Sequence, residues 1–368
     1  MIKLASPHIT EREVRAVVRV LRSGTLSLGP EIEAFEKAMA RLTGRRHAVA
    51  VNSGTAALHL IVRALGLGPG DEVITTPYSF IASVNCILYQ GARPVLADID
   101  PLTLNLDPGR AEEAITRKTR AVLAVDVFGL PADYNALDNI CRSHKLFLIE
   151  DSCEALGARY LKKPAGSFGQ AAAFGFYPNK QITTGEGGMA VCDDDRLAGA
   201  MRSMRNQGRS YMGGWLAHHV LGYNYRMSDI GAALGRVQLS RLNSLLSVRR
   251  KKAEIYRRLF RRYLPEFEVL PDVPGMKRSW FVFVILVPKE MAGLRRDRLL
   301  KELRARGIEC AHYFPALHLQ PALRHLGYRK GDFPVAEETA DRSLAIPFHH
   351  RLGEEDQRRV VQTIRKLA

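Results

Sequence analysis

The chain has 368 residues and a formal net charge of +16, with 46% hydrophobic and 25% charged residues. This length suits one large α/β domain followed by a smaller one, and the composition is typical of a globular protein. No stretch approaches the roughly 20 apolar residues of a membrane-spanning helix, and the first residues lack the apolar run of a signal peptide. We therefore expect a cytoplasmic protein without a membrane partner.

The five cysteines are scattered and form no Cys-x-x-Cys pair. This usage argues for reduced thiols and against a structural zinc site, so we expect no bound metal.

The excess of basic residues has two interpretations. A basic surface attracts nucleic acid or a phosphorylated substrate. However, the basic residues recur on helical stretches such as Arg249–Lys252, spaced with apolar residues, and this pattern is typical of a solvated helix face. Because no zinc finger or RNA-binding motif accompanies them, we expect no nucleic-acid partner.

Apolar strand-like runs alternate with amphipathic helical stretches through the first two thirds of the chain. The predicted strands are residues 47–51, 72–76, 94–97, 121–125 and 146–150, followed by a pair at 172–176 and 189–192. Helices are predicted at residues 55–65, 79–90 and 133–144. This order predicts a three-layer α/β/α fold with a mainly parallel central sheet, in which ligands bind at the carboxyl ends of the strands.

The character of the sequence changes after about residue 245. A charged helix is predicted at residues 246–263, a strand at 280–287, and further helices at 297–306 and 354–367. We therefore predict a large domain formed by residues 1–245 and a small C-terminal α+β domain formed by residues 246–368.

Three segments carry features of a ligand site, and the first is Val51–Leu58. A strand ends there, a turn of small residues follows, and a helix begins. The free N–H groups and positive dipole of a helix start suit a phosphate. The same Ser-Gly-Thr sequence is also a good helix N-cap, so this segment alone leaves both interpretations open.

The second segment, Leu148–Ala155, is an apolar strand that ends in two carboxylates, Glu150 and Asp151. An acid at the carboxyl end of a strand lies near the ligand site of such a sheet. A cofactor with a pyridine ring needs a carboxylate that keeps the ring nitrogen protonated. A helix N-cap is an equally good explanation for Asp151 alone.

The third segment, Phe174–Gly188, places Lys180 between a strand and a glycine-rich turn. Most lysines are solvated surface residues. A lysine held beside a cationic ring instead loses its proton readily and becomes nucleophilic, as Schiff-base chemistry requires.

The three segments occur in the order of fold-type I enzymes that use pyridoxal 5′-phosphate (PLP), with Lys180 29 residues after Asp151. The chain resembles the DegT/StrS-type sugar aminotransferase family nearly from end to end. The resemblance is carried by Leu28–Glu31, Asn52–Leu58, Glu150–Gly157, Phe176–Gly188, Arg205–Gly208, Gly222–Ile230 and Pro315–Gln320.

The resemblance implies roles for individual residues of this chain. Lys180 would form the Schiff base with PLP and then move the proton, and Asp151 would pair with the pyridinium nitrogen. The backbone at Gly54, Thr55 and Ala56 would hold the phosphate.

Further contacts with the cofactor are implied by the same resemblance. Phe80 would stack on the ring, although an ordinary core position is the alternative. Asn224 would reach the phosphate of the neighbouring subunit's cofactor, which implies a homodimer with shared active sites. The family usually has Gln or His where this chain has Glu154, which would contact the ring hydroxyl; a Glu there must be protonated or pair with another group. Gly175 stands where the family often has a Ser that contacts the phosphate.

Three residues are implied in substrate binding. Arg226 would hold the carboxylate of the amino donor, or equally a loop carbonyl. Tyr313 and His318 would lie near the nucleotide-sugar, with surface packing as the alternative for both.

The expected function is transfer of an amino group from an amino acid, L-glutamate above all, to a nucleotide-linked keto-sugar in surface polysaccharide or amino-sugar biosynthesis. One alternative is an aminocyclitol (keto-inositol) aminotransferase that uses the same residues. A second is the sugar dehydrase branch of the family, which has His in place of Lys180. A third is a regulatory or nucleic-acid-binding protein on an inherited fold, which would have no reason to keep both Lys180 and Asp151.

Overall fold

The computed structural model describes residues 1–209 and 217–368. Within these residues the strands are β1 (His47–Val51), β2 (Glu72–Thr75), β3 (Arg93–Leu96), β4 (Thr119–Val125), β5 (Phe147–Asp151), β6 (Arg159–Tyr160), β7 (Lys163–Pro164), β8 (Ala171–Gly175), β9 (Gly188–Cys192), β10 (Glu268–Val269), β11 (Met276–Lys277), β12 (Phe283–Leu286) and β13 (Ser343–Ile346).

The helices are α1 (Glu11–Ser23), α2 (Pro30–Thr43), α3 (Gly54–Ala64), α4 (Ala82–Leu88), α5 (Pro108–Glu113), α6 (Tyr134–His144), α7 (Asp195–Arg205), α8 (Asp229–Ser240), α9 (Leu242–Tyr263), α10 (Leu294–Ala305), α11 (Pro334–Arg342) and α12 (Glu354–Leu367).

A seven-stranded sheet forms the centre of the molecule, in the order β1-β9-β8-β5-β4-β2-β3. The pairs β2–β3, β2–β4, β4–β5 and β5–β8 are parallel, whereas β9 is antiparallel to both β1 and β8. The predicted mainly parallel sheet is therefore confirmed, and so is the strand pair around the glycine-rich segment. The carboxyl ends of β4, β5 and β8 meet at one edge.

Helices cover both faces of this sheet because successive strand residues point to opposite sides. Val49 and Val51 of β1 belong to one apolar cluster with residues of α3, α4 and α7. Ala48 and Ala50, the alternate residues of the same strand, belong to another cluster with residues of α2. This arrangement gives the three-layer α/β/α fold expected from the sequence.

The C-terminal part contains a second sheet, in the order β10-β12-β13, with antiparallel pairing. Residues of α9, α10 and α12 pack with this sheet around a separate apolar cluster. The predicted boundary between residues 245 and 246 falls within α9, which runs without interruption from Leu242 to Tyr263. The division of the chain into two domains at that position stays a prediction.

Two predicted elements are shorter in the structure. Helix α4 begins only at Ala82, so that Ser79 and Phe80 lie in the turn before it. The strand expected from residue 280 begins at Phe283, because Trp280 has a φ of +53°, which is incompatible with an extended strand. Both differences arise where the chain approaches the cavity described below.

The basic stretch Arg249–Lys252 differs from the expected solvated helix face at its first residue. Arg249 is only 4% exposed. Hydrophobic spacing alone did not predict this burial, since the Nη1 and Nη2 atoms of the guanidinium donate to main-chain carbonyls far away in the sequence.

In the part of the chain that the structure describes, no helix combines the length and the apolar character needed to cross a membrane.

Candidate active site

A cavity of about 730 Å³ opens at the edge of the central sheet where β5 and β8 end. The start of α3 and the loop of residues 312–317 complete its walls. Seven of the residues expected at a ligand site from the sequence line this cavity: Gly54, Thr55, Phe80, Asp151, Glu154, Lys180 and Tyr313. Its volume lies in the range of cavities that bind small molecules and cofactors.

Lys180 extends its amine into the cavity, and its side chain is only 15% exposed. The Nζ atom lies 3.4 Å from Glu154 Oε1 and 3.9 Å from the centroid of the Phe281 ring. The carboxylate and the face of the aromatic ring both attract a cation. The amine is therefore held in one place before any ligand arrives.

Asp151 is the last residue of β5 and presents its carboxylate to the same cavity. Ser83 Oγ donates a hydrogen bond to Oδ2 at 2.7 Å, and the Cys153 N–H donates to Oδ1 at 3.2 Å. A carboxylate has about four acceptor positions, so these two bonds orient Asp151 and leave it able to accept from a cationic N–H in the cavity.

Glu150, the preceding residue, points to the opposite face of the sheet and does not line the cavity. Its carboxylate accepts hydrogen bonds from three backbone N–H groups of residues 166–169 and lies 3.2 Å from Arg45 Nη2. Of the two carboxylates that end the strand, only Asp151 is therefore available to a ligand.

Glu154 lines the cavity beside Lys180 and is 6% exposed. Its Oε2 atom accepts a hydrogen bond from the Phe128 N–H at 2.9 Å. Burial raises the pKa of the Glu154 carboxyl above its ordinary value, while the nearby Lys180 ammonium opposes this shift. Glu154 is thus the ionic partner of Lys180 in the structure.

The start of α3 provides backbone donors at the cavity wall. Ser53 caps the helix by accepting from the Ala56 N–H at 3.0 Å, whereas the N–H groups of Gly54 and Thr55 have no acceptor inside the helix. A Cβ atom at Gly54 would lie 2.8 Å from Cys153 Sγ, so any larger residue in this turn would have to displace its neighbours. The two N–H groups and the helix dipole suit a phosphate.

Phe80 is 62% exposed although it is large and apolar, and it lines the cavity. A flat, charged ring can stack on an exposed aromatic side chain. The same cavity offers it a carboxylate, a lysine and a phosphate site. At Gly175, a Cβ atom would lie 3.5 Å from the side chain of Cys153, which is an ordinary contact. The position thus has room for the serine that the family often has there. The residues present fit PLP.

Four predicted site residues do not line the cavity. The N–H of Ala56 is used by the Ser53 cap. Asn224 is exposed beside the end of β1, where its carbonyl accepts from the Asn52 side chain.

Arg226 donates from Nη1 to the side-chain oxygens of Asn206 and Gln207 at 2.9 and 2.7 Å. His318 is 1% exposed, with Nε2 at 2.9 Å from Glu337 Oε1. Neither side chain therefore faces the cavity of its own subunit.

Sequence reasoning missed two side chains that hold the site together. Phe281, under the Lys180 amine, lies in an apolar run that has only the pattern of a buried strand. Ser83, which orients Asp151, lies in the buried part of α4. The signal that could have identified Ser83 is its position as a polar residue on an otherwise apolar helix face.

In residues 1–209 and 217–368, no group of three or more His, Cys, Asp and Glu side chains is arranged to hold a metal ion.

The fold and the cavity together define the chain as a PLP-dependent aminotransferase of fold type I. The model of the DegT/DnrJ/EryC1/StrS aminotransferase family matches residues 7–365, and the chain belongs to this family. The match covers almost the whole chain, including the seven-stranded sheet and the β10-β12-β13 sheet.

Individual relatives agree with this assignment. The chain is 39% identical to GDP-perosamine synthase from Caulobacter vibrioides, over 99% of this chain and 97% of that protein. It is 38% identical to a pleiotropic regulatory protein from Geobacillus stearothermophilus, over 95% and 93% of the two chains. The crystal structure of S. venezuelae DesV with a ketimine intermediate is 37% identical and superimposes with a TM-score of 0.89, over 96% and 93%.

Proposed function

We propose that this enzyme transfers the amino group of L-glutamate to a keto-sugar joined to a nucleotide, in the synthesis of a surface polysaccharide or another amino-sugar product. The observation that carries the proposal is that Lys180, Asp151 and the start of α3 face one cavity. The class of acceptor is supported by a relative named GDP-perosamine synthase and by an aminotransferase structure described as involved in the biosynthesis of pseudoaminic acid.

When PLP is bound, it supplies the electron sink that makes the α-proton of an amino acid removable. Lys180 would hold the cofactor through Nζ and would take and return the proton at the reacting carbon. Asp151 would accept from the ring N–H and keep it charged. The N–H groups of Gly54 and Thr55 would hold the phosphate, and Phe80 would pack on the face of the ring.

Glu154 would contact the ring hydroxyl of bound PLP. It lies beside Lys180, with Nζ 3.4 Å from Oε1. The raised pKa of the Glu154 carboxyl, caused first by its burial, suits a group that would exchange a proton with the ring hydroxyl oxygen.

We propose an active homodimer in which Asn224 reaches the phosphate site of the partner subunit. Its exposed position outside the cavity of its own chain supports this role. Arg226 would hold the carboxylate of the donor once it is released from the amide oxygens of the 206–207 loop.

Tyr313 lines the cavity and accepts a hydrogen bond from the Asn179 side chain at 3.4 Å, so we assign it to the sugar. For His318, the buried contact with Glu337 favours a role in supporting the loop that carries Tyr313. The five cysteines are all free of disulfides, which supports a reducing compartment, the cytoplasm.

The similarity to a relative named as a regulatory protein raises a second candidate function. Retention of Lys180 beside Glu154 and across from Asp151 favours the enzyme, because a purely regulatory role needs none of these buried charges.

The experiment is a screen of purified protein with PLP and L-glutamate against keto-sugars linked to different nucleotides, with free keto-inositol as a further acceptor. We expect glutamate-dependent amination of at least one nucleotide-linked keto-sugar. Amination of keto-inositol alone would instead establish the aminocyclitol alternative. Loss of a sugar hydroxyl without amination would establish a dehydrase. Parallel reactions with L-glutamine test the donor.

A further inference from the structure

The contact between Lys180 and Phe281 joins two parts of the chain that are far apart in sequence. Lys180 belongs to the loop between β8 and β9 of the central sheet, and Phe281 precedes β12 of the second sheet. The distance of 3.9 Å between Nζ and the ring centroid therefore depends on how these two main-chain segments are held against each other.

Arg249 of α9 connects the two segments directly. Its Nη2 donates to the carbonyl of Lys180 at 3.1 Å, and its Nη1 donates to the carbonyls of Trp280 and Phe281 at 3.2 and 3.0 Å. One planar guanidinium thus bonds the main chain of both residues whose side chains meet in the cavity. An ammonium group lacks this fixed fork and does not replace it.

The segment held by Arg249 contains an unfavourable backbone conformation. Trp280 has a φ of +53°, which is rare for a bulky residue and persists only where surrounding contacts fix it. This turn directs the ring of Phe281 towards the cavity instead of continuing a strand. The carbonyls of the two peptides on either side of the Phe281 Cα both accept from Arg249.

The buried charge of Arg249 also lacks a carboxylate counter-ion in the described part of the chain. Among the described residues no carboxylate lies within ion-pair distance of it, and burial lowers the pKa of its guanidinium to about 10. Burying a charge without a counter-ion is costly. Arg342, by contrast, is equally buried but pairs with Glu268 and Glu338 while donating to the carbonyl of Val287.

We propose that Arg249 is a positioning residue for Lys180. Its guanidinium fixes the main chains of Lys180 and Phe281 relative to each other and thereby keeps Nζ over the ring, within reach of the reacting carbon. The inference rests on the proposed function for the role of Lys180 in proton transfer. The geometric part is independent of that role.

The first experiment measures the geometry in the full-length chain without added cofactor. Lysines are reductively methylated with ¹³C-formaldehyde, and the Lys180 signal is identified by its loss in Lys180→Arg. Methyl groups over the face of Phe281 experience a ring current, so we expect an upfield-shifted signal that Phe281→Leu abolishes.

Arg249→Lys and Arg249→Gln should move this signal towards that of exposed lysines, whereas the control Arg342→Gln should leave it in place. An unchanged signal in both Arg249 variants would overturn the proposal. Arg249→Lys keeps a cation at this position, so it supplies the result if Arg249→Gln fails to fold.

The second experiment uses PLP-loaded protein and L-glutamate deuterated at the α-carbon. Displacing a reacting group by about 1 Å can cost about 100-fold in rate. We therefore expect Arg249→Lys to slow α-proton removal at least tenfold and to raise the primary isotope effect, with the KM for glutamate little changed. If Arg249→Lys lost thermal stability but kept the rate of α-proton removal and the isotope effect of the wild type, Arg249 would have only a structural role.

The two experiments separate the inference from the proposed function. If the wild-type protein shows the shifted Lys180 signal but removes no proton from glutamate, the proposed donor is wrong while the positional role of Arg249 stands. If the signal moves in Arg342→Gln as well, general loosening explains the effect and the assignment to Arg249 fails.

Discussion

Two adjacent carboxylates at the end of β5 have opposite surroundings. Glu150 points to one face of the sheet, where Arg45 and three backbone N–H groups occupy its oxygens. Asp151 points to the other face, where within the described residues it accepts from Ser83 and Cys153 and from no other group. Both are buried, so burial alone does not distinguish them.

The difference shows how a site can be separated from a structural ion pair in the same strand. At Glu150 the protein satisfies the charge itself and stabilises the 166–169 loop. At Asp151 it orients the carboxylate and leaves acceptor positions directed at the cavity that also receives Lys180. A buried polar group that faces a cavity and has unused hydrogen-bonding capacity indicates a ligand site. A buried polar group whose hydrogen bonds are all made within the protein indicates a structural role.

The largest effect is expected on the cavity side, at Lys180. Lys180→Ala removes both the covalent link to the cofactor and the group that moves the proton, so amino transfer should fall at least about 1,000-fold. Chromatography of the amino-sugar product measures the rate. Lys163→Ala, an exposed lysine on β7, is the control and should retain full activity; equal losses in the two variants would contradict the role of Lys180.

The comparison between the two carboxylates is tested by Asp151→Asn and Glu150→Gln. Asp151→Asn should lower the rate of amino transfer about 100-fold, because the partner of the ring N–H loses its charge, with little change in stability. Glu150→Gln should lower the free energy of unfolding by about 1–3 kcal/mol and leave the rate of the folded holoenzyme nearly unchanged. Urea denaturation and activity are measured on both variants. A loss of stability in Asp151→Asn together with a loss of rate in Glu150→Gln would refute the account.

The phosphate site is tested by a pair of glycine substitutions. In Gly54→Ala the added methyl group would lie 2.8 Å from Cys153 Sγ and 3.3 Å from the Gly175 backbone, so we expect the Kd for PLP to rise about tenfold. In Gly175→Ser the new Cβ has an ordinary contact at 3.5 Å, and the Kd should stay the same or fall. Fluorescence titration of the cofactor-free protein gives both Kd values. Weaker PLP binding in Gly175→Ser alone would contradict the inference that the cavity wall has room for a side chain at residue 175 but not at residue 54.

The smallest effect is expected for Glu154→Gln, which keeps the acceptor for the Phe128 N–H. Burial raises the pKa of the Glu154 carboxyl, so in the wild-type protein it becomes protonated, as pH falls, at a higher pH than an ordinary Glu. The wild-type kcat/KM should therefore decline on the acid side through this ionisation. Glu154→Gln should show a flatter acid limb with kcat within about tenfold of wild type; identical pH profiles would show that Glu154 does not titrate in the reaction.

Local patterns were sufficient to predict much of the fold and site. The run His47–Val51 is confirmed residue for residue as β1, because alternation and turn residues are local signals. The small-residue turn at Gly54, the strand-end Asp151 and the lysine in a glycine-rich loop are also local, and the topology of a parallel sheet brings them to one edge.

Features that depend on tertiary contacts could not be predicted in this way. Arg249 has the helical spacing of a solvated residue, yet it is buried and donates to three carbonyls that are far away in the sequence. The family resemblance placed Phe80 at the cofactor, but the helix predicted from residue 79 begins only at Ala82, so Phe80 lies in the turn before it. In both cases the partner groups lie elsewhere in the chain, where no pattern of neighbouring residues reports them.

The central claim is that Lys180 is the residue that binds PLP, opposite Asp151. Borohydride reduction of the PLP-loaded full-length protein, followed by peptide mass mapping, tests it most directly. The account predicts one phosphopyridoxyl group per chain, located on the peptide that contains Lys180 and absent from Lys180→Ala. A label on another lysine, or no label at saturating PLP, would contradict it.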